Sequence, residues 1–301
     1  MADGVVPPDF EAMVELCARQ VLRPGDGAID AGAHKGRHLR PMLEAVGPTG
    51  HVLAIEPLPD CLRQVRDELG DHPGLTLVPG VLGPRRETLE LVVALDRPEE
   101  SSLRARSNYS GPTALTTLAV EAHPLDELAA GMARVDFVKI DVEGAEALVV
   151  ESGLRTLGTH QPVITFEHGI GIADFDGTSA GLFGLLDGLG DLVFTIDGRR
   201  LASARDLEEV VGAGQMWDFV AIPAAHPLVD SLPALLAHEM EVRRVVDEGI
   251  AAAYRSVLHR DPDAAGLTAF RHVCREQGPE VLVRILQDSD EARAMGGDGS
   301  P

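Results

Sequence analysis

Short apolar runs alternate with helix-period stretches over the first two-thirds of the chain, and this alternation limits the possible folds more than any other feature. The runs that read as strands lie at 27–31, 51–56, 75–81, 135–141, 162–167, 192–197 and 217–222. Between several of them sit amphipathic stretches such as PDCLRQVRDELG and GAEALVVESGLRTLG. The runs VDFVKI and PVITFE are apolar on both parities, as strands covered on both faces must be. The pattern predicts an α/β fold, a doubly wound sheet with helices on both faces. Hydrophobic residues make up 45% of the 301, enough for the large core such a sheet needs.

Two segments depart from the alternation. Over residues 88–121, TLELVVAL and TALTTLAVEA read as further strands in an antiparallel excursion. The polar stretch RPEESSLRARSNYSGP joins them. Loops of this length are functional or mobile, and this one is expected to border the acceptor site. From about residue 227 to 289 the pattern is helical throughout, with one helix ending near Arg260 and another starting after the DPD turn. Asp263 is placed to cap that second helix. PEVLVRILQDSDEAR reads as a third helix, and the tail MGGDGSP as disordered. The expected organisation is a large domain over 1–225, a bridging helix over 226–248 and a small helical module over 249–295.

Charge narrows the partners. A formal net charge of −22 repels phosphate backbones and anionic lipid. Nucleic acid is therefore not expected as a partner, and polar neutral or cationic acceptors remain. Cys17, Cys61 and Cys274 lack metal or redox spacing and read as unpaired thiols of a reducing compartment. The opening MADGVVPPDFEAM has no basic or apolar leader pattern. No apolar run reaches the roughly 18 residues of a membrane span, so the chain reads as soluble and cytoplasmic.

The segment AIDAGAHKGRHLRPML is a strand, a glycine-bearing turn and a helix start. Asp30 closes the strand, at the end where open α/β sheets bind ligands. Gly32 and Gly36 admit backbone conformations and close approaches that a side chain forbids. A dinucleotide fingerprint would need glycine where His34 and Arg37 stand, which argues against a diphosphate cradle. The turn suits a cofactor with positive charge and no phosphate, and S-adenosyl-L-methionine is such a ligand. Asp30 would lie near its amino-acid or sulfonium end, with the backbone of Gly32, Ala33 and His34 around the methionine part. Glu56, at the end of HVLAIE, can accept hydrogen bonds from both ribose hydroxyls.

The segment VDFVKIDVEGAE puts Lys139, Asp141, Glu143 and Glu146 on a central strand and its exit. Buried charges are costly unless paired or used. Alternation sets Lys139, Asp141 and Glu143 on one side if the strand extends that far. Among 26 basic residues only Lys35 and Lys139 are lysine, and both fall in these two segments. Taken in order, DAGAHKG, AIEP, VDFVKIDVEGAEALVVESG and PVITFEH resemble the FkbM family of methyltransferases over roughly residues 20–222. The K-I-D-V-E-G-x-E string carries most of the resemblance. TLAVEAHPLDEL and the SSL of Ser101 to Leu103 add to it. His34 stands where the family usually has asparagine, and Leu39 where it has a small hydroxyl residue.

The resemblance implies a class I, Rossmann-like S-adenosylmethionine fold of seven strands, one of them an antiparallel edge strand. It also implies O-methylation of a sugar, glycan or other natural product. Asp141 then joins Asp30, Gly32, Ala33, His34, Gly36 and Glu56 around the cofactor. Methyl transfer to oxygen needs alignment and a base. His168 titrates in the right range, with Asp141, Glu143 and Glu167 as the other candidates, and Lys139 would orient a carboxylate or the acceptor oxygen. A divalent cation on Asp141, Glu167 and His168 is a rival without a compact ligand motif, and no metal is expected. A nicotinamide-dependent oxidoreductase and a non-catalytic binding protein are the rival functions. At the other end, YRSVLHRDPDAAGLTAF resembles a small helical domain of unknown function (DUF4214), expected to serve as a contact for a protein partner.

Overall fold

Strands with almost every residue buried form the middle of the larger of two compact units. The structure is a computed structural model that describes residues 9–107, 109–214 and 216–296, so the tail expected to be disordered lies outside the described residues from 297 onward. The first unit spans Phe10–Ala234. Its early strands are β1 (Gly27–Ala31), β2 (His51–Glu56), β3 (Leu75–Pro79), β4 (Val81–Leu82), β5 (Glu87–Ala94) and β6 (Leu115–His123). The later ones are β7 (Phe137–Ile140), β8 (Val163–Glu167), β9 (Asp191–Thr195), β10 (Arg200–Leu201) and β11 (Asp218–Pro223).

The large sheet runs β10-β9-β11-β8-β7-β1-β2-β3. All seven expected strands are in it. From β3 to β8 every pairing is parallel, whereas β11 runs antiparallel to both β8 and β9. Two strands thus run against the rest, β10 at the edge, antiparallel to β9, and β11 inside the sheet. The β11 sequence DFVAIP is buried almost throughout, which suits an interior place. The edge is closed by β10, whose two residues leave little unpaired ladder exposed. The run expected over 75–81 is divided at Gly80, whose φ of +144° breaks the strand. Beyond it, β4 joins a separate sheet of order β4-β6-β5. There β5 and β6 pair antiparallel from Glu87↔Ala122 to Ala94↔Leu115, the excursion that the sequence pattern predicts.

Helices α1 (Phe10–Val21), α2 (Leu39–Val46) and α3 (Pro59–Leu69) come first. After β6 follow α4 (Leu125–Leu128), α5 (Glu146–Ser152), α6 (Leu154–His160), α7 (Ser179–Gly188) and α8 (Ala204–Gly212). One sheet face carries Ile29, Leu53, Val138, Ile164 and Phe219, packed with Val149, Leu157, Leu182 and Leu207 of the later helices. By the two-residue period, Ala28, Asp30, Phe137, Lys139 and Thr165 turn to the other face. Register aligns Asp30 with Lys139 and Lys139 with Thr165. A polar row therefore crosses three central strands on a face that is otherwise apolar. Chain order reverses at β1, between β2 and β7, and such switch points open a crevice at the strands' carboxyl ends.

The second unit is built from Leu235 onward. Its helices are α9 (Ser231–Leu258), which starts just before the division, α10 (Ala264–Gln277), α11 (Pro279–Gln287) and α12 (Asp290–Gly296). Ile250, Tyr254, Leu258, Leu267, Leu282 and Leu286 form its core. Asp263 caps α10 as expected, its Oδ1 accepting from the Gly266 amide at 2.7 Å. Arg260 lies 5.2 Å over the Tyr254 ring. A Cβ on Gly266 would fall 2.6 Å from the Tyr254 hydroxyl, so the motif's tyrosine, arginine and glycine secure one helix turn. Among the described residues no helix is long and apolar enough to cross a membrane.

Phe137 is among the largest fully buried side chains, at the start of the strand that carries the polar row. Phe137→Ala is expected to lower the stability of the first unit by about 3–5 kcal/mol, the usual cost of emptying such a site. Urea unfolding checks this, and a loss below about 1 kcal/mol would contradict the packing.

Candidate functional site

The turn after β1 is shaped by close approach. Gly32 has a φ of +83°, and a Cβ there would stand 1.8 Å from the Asp141 carbonyl oxygen. Backbone contact between the ends of β1 and β7 therefore requires glycine at this position. Gly36 is also left-handed, at φ +82°, and so is His34, at φ +46°. Asparagine, aspartate and histidine are the residues that best tolerate that region. The conformation accounts for histidine replacing the asparagine usual in the family. The amides of Gly32 and Ala33 both donate to the Ile55 carbonyl, at 3.0 and 3.1 Å, and the His34 amide donates to Glu56 Oε2 at 2.7 Å. These amides, expected to face a ligand, instead bind the turn to the end of β2. Glu56 Oε1 accepts from the Leu58 amide at 2.8 Å. Burial pushes the Glu56 carboxyl up to about 7 against the pull of these two bonds.

Lys139 is 5% exposed and Asp30 0%. The lysine Nζ lies 3.5 Å from Asp30 Oδ1 and 3.1 Å from Asp141 Oδ2. It also donates to the Gly32 carbonyl at 3.4 Å. Burial alone would depress the ammonium, but the charges of Asp141 and Asp30 outweigh it and hold Lys139 above its ordinary range. One cation thus joins the end of β1, the turn and the exit of β7. Both Asp30 oxygens lack a hydrogen-bond partner among the described residues.

Glu143 does not continue the strand's alternation. Strand β7 ends at Ile140, and Glu143 takes a left-handed φ of +55° ahead of Gly144 at φ +104°. Its carboxylate pairs with Arg106, from the loop between β5 and β6, and its carbonyl accepts from Ser102 Oγ at 2.9 Å. Burial and then the charge of Asp141 raise the Glu143 carboxyl to about 8, Arg106 opposing. Glu167, at the end of β8, is raised by burial and next by Asp141, Glu143 and Asp218. His168 lies deeper. Its Nε2 is 2.9 Å from Ser179 Oγ, and burial lowers the ring to about 4.

A cavity of about 350 Å³ opens over these strand ends. It gathers Gly32, Ala33, His34, Glu56, Lys139, Asp141 and Glu143 from the expected set, and Glu167 with them. His168 is instead on the wall of a neighbouring cavity. Three contributors were not expected from the sequence. Glu11 of α1 lines the main cavity, held by His38 at 2.5 Å; its place in the amphipathic run FEAMVELCARQV just before β1 is the only sequence signal for it. Arg106 and Ser102 come from the long polar loop, which borders the site as its length suggested.

The cavity lies within the roughly 300–1,000 Å³ usual for ligand sites. Its polar lining has Glu11, Glu56, Glu99, Asp141, Glu143 and Glu167 against Lys35, Arg37 and the paired Lys139, an excess of carboxylates. Asp30, buried behind them against Lys139, and the glycine at position 32 complete a cradle that fits a compact, phosphate-free, positively charged cofactor such as S-adenosylmethionine. A diphosphate would meet these acids unfavourably. Among the described residues no group of three or more His, Cys, Asp or Glu is arranged to hold a metal ion.

The methyltransferase FkbM domain matches this chain over residues 30–190, just over half of its 301 residues. A protein-L-isoaspartate O-methyltransferase of Ignicoccus hospitalis is 42% identical over 48 residues, 16% of this chain. That match spans 23% of the relative's own length. Among solved structures, an FkbM methyltransferase from Methylobacillus flagellatus is 13% identical with a TM-score of 0.41, over 72% of this chain and 56% of that one. An S-adenosylmethionine-dependent O-methyltransferase from Thermotoga maritima is 12% identical with a TM-score of 0.40, over 74% and 67%.

Removing the central cation tests the site's construction. Lys139→Met leaves Asp30 and Asp141 facing each other without compensation, and about 3–5 kcal/mol of stability should be lost. Guanidinium unfolding measures it, and a variant as stable as the parent would show that the lysine does not hold the two strand ends.

Proposed function

The chain belongs to the FkbM methyltransferase family, and we propose that it transfers a methyl group from S-adenosylmethionine to a hydroxyl of a sugar, glycan or other natural product. The observation that carries this reading is the carboxylate-rich cradle around the Lys139 ion pairs. When bound, S-adenosylmethionine supplies a methyl carbon on a positively charged sulfur. Glu56 would accept the ribose hydroxyls, since a carboxylate holding two amides still has lone pairs free. Asp141 would face the cationic end, held by Lys139, while Asp30, expected beside the cofactor, is buried behind the lysine and off the cavity wall. Gly32, Ala33, His34 and Gly36 would shape the floor.

The remaining work is to align the acceptor hydroxyl and take its proton. Alignment can contribute roughly 7–11 kcal/mol. Of the candidate bases, Asp141 is held by Lys139 and Glu143 by Arg106. His168, lowered to about 4 by burial, is a weak base. The Glu167 carboxylate has no hydrogen bond or ion pair among the described residues, and burial raises it, so it is left open to accept a proton. We therefore assign the proton transfer to Glu167, with Asp141 and Glu143 shaping the field around it.

The sign of the pH dependence follows. Below its raised value Glu167 is protonated and cannot accept a proton, so kcat/KM should climb with pH and level off above it. The acid limb should lie above the usual carboxylate range. Glu167→Gln should remove this limb and lower kcat by about 10²–10⁴-fold, and a pH–rate profile unchanged in the variant would place the base elsewhere. Glu56→Ala should weaken S-adenosylhomocysteine binding by about tenfold or more in calorimetry, and Asp141→Ala should abolish turnover. Undiminished turnover without Asp141 would contradict this placement of the site.

A further inference from the structure

A second cavity, of about 260 Å³, lies beside the first. It is smaller than the roughly 300–1,000 Å³ typical of sites for drug-sized ligands, a size for one ring with small substituents. Glu143 and Glu167 line both cavities, so a group held in the second can reach the wall it shares with the cofactor cradle. Glu146, His168, Arg106 and Trp217 form other parts of its lining.

Three of these residues carry unmatched polar atoms, Arg106 among them at its Nε. Glu146 is 2% exposed and His168 1%, and Glu146 Oε2 and His168 Nδ1 have no hydrogen-bond partner among the described residues. Buried polar atoms are nearly always paired, so these two indicate a ligand. The charge is also unbalanced. Arg106 pairs with Glu143 through Nη1 and leaves its Nε unpaired, while Glu146 and Glu167 have no cationic partner among the described residues. Burial raises the Glu146 carboxyl to about 7 although the Gly144 amide donates to it at 2.8 Å. A neutral polyol could hydrogen-bond to these acids, but only a cation would favour their ionised forms, which would repel an anionic acceptor.

Building on the methyl-transfer reading, we propose that this second cavity is the acceptor subsite and that it selects an acceptor bearing an ammonium group near its hydroxyl, as an amino sugar does. Glu146 would hold the ammonium and His168 Nδ1 a second hydroxyl. The reacting hydroxyl would lie at the shared wall beside Glu167.

Calorimetry on the full chain tests this. S-adenosylhomocysteine is titrated first, and then, on the saturated protein, methyl β-D-glucosaminide, methyl β-D-glucoside and methyl β-D-glucuronide. The glucosaminide should bind at least about tenfold more tightly than the glucoside, and the glucuronide more weakly than either. Glu146→Gln should bring the glucosaminide-to-glucoside ratio to near one while the glucoside affinity stays within about twofold. A merely structural role for Glu146 would weaken all three sugars together. Equal affinities, no binding of the glucosaminide, tighter binding of the glucuronide, or a ratio that survives Glu146→Gln would overturn the proposal. If the variant does not fold, the wild-type panel decides alone. Failure of S-adenosylhomocysteine to bind would remove the methyl-transfer reading and this inference with it, whereas its binding without amine preference removes only the inference.

Discussion

Lys139 stands between two aspartates in a place that water scarcely reaches, 3.5 Å from Asp30 and 3.1 Å from Asp141. Moving three charges out of water is costly, and pairing recovers this only when the geometry is close. Most of the site follows from that closeness. With β1 and β7 drawn together, the Asp141 carbonyl occupies the space where residue 32 would carry a Cβ, so residue 32 is glycine. The turn then folds back over β2, where Ile55 and Glu56 receive its amides. Glu56 is thereby fixed at the far side of the cradle from Asp141. Apolar residues would suit the sheet at less cost, so the charges mark this end of the sheet as more than packing.

The acids at the strand ends take different roles because their surroundings differ. Asp141 and Glu143 each have a cationic partner, whereas Glu146 and Glu167 have none among the described residues. The partner decides which carboxylate is held in place and which remains open to protons or ligands. Arg106 and Ser102, both bonded to Glu143, bring the long loop between β5 and β6 onto the exit of β7. The loop thereby completes the wall between the two cavities.

The central strands were legible in the sequence because strands covered on both faces must be apolar on both parities, a local signal. Lys139, Asp141 and Glu56 were legible for the converse reason, as charges where such strands should carry none. Strand order was not local. That β11 enters between β8 and β9 depends on pairings across the sheet, and a two-residue β10 is too short for any period to mark. Glu143 was expected on the side of Lys139 and Asp141, but a left-handed residue ends the alternation and turns it toward Arg106. Glu11 and Arg106 reach the site from distant parts of the chain, which no spacing rule foresees. His168 sits at a strand end as expected. Its packing against Ser179 of α7, not its position in sequence, sets its burial and weak basicity.

The central claim is that the cradle is built for a cationic cofactor without phosphates. Calorimetry of the wild-type chain with S-adenosylhomocysteine and, separately, with NAD tests it most directly. The account predicts saturable binding of S-adenosylhomocysteine and no detectable binding of NAD. Binding of NAD alone would contradict it.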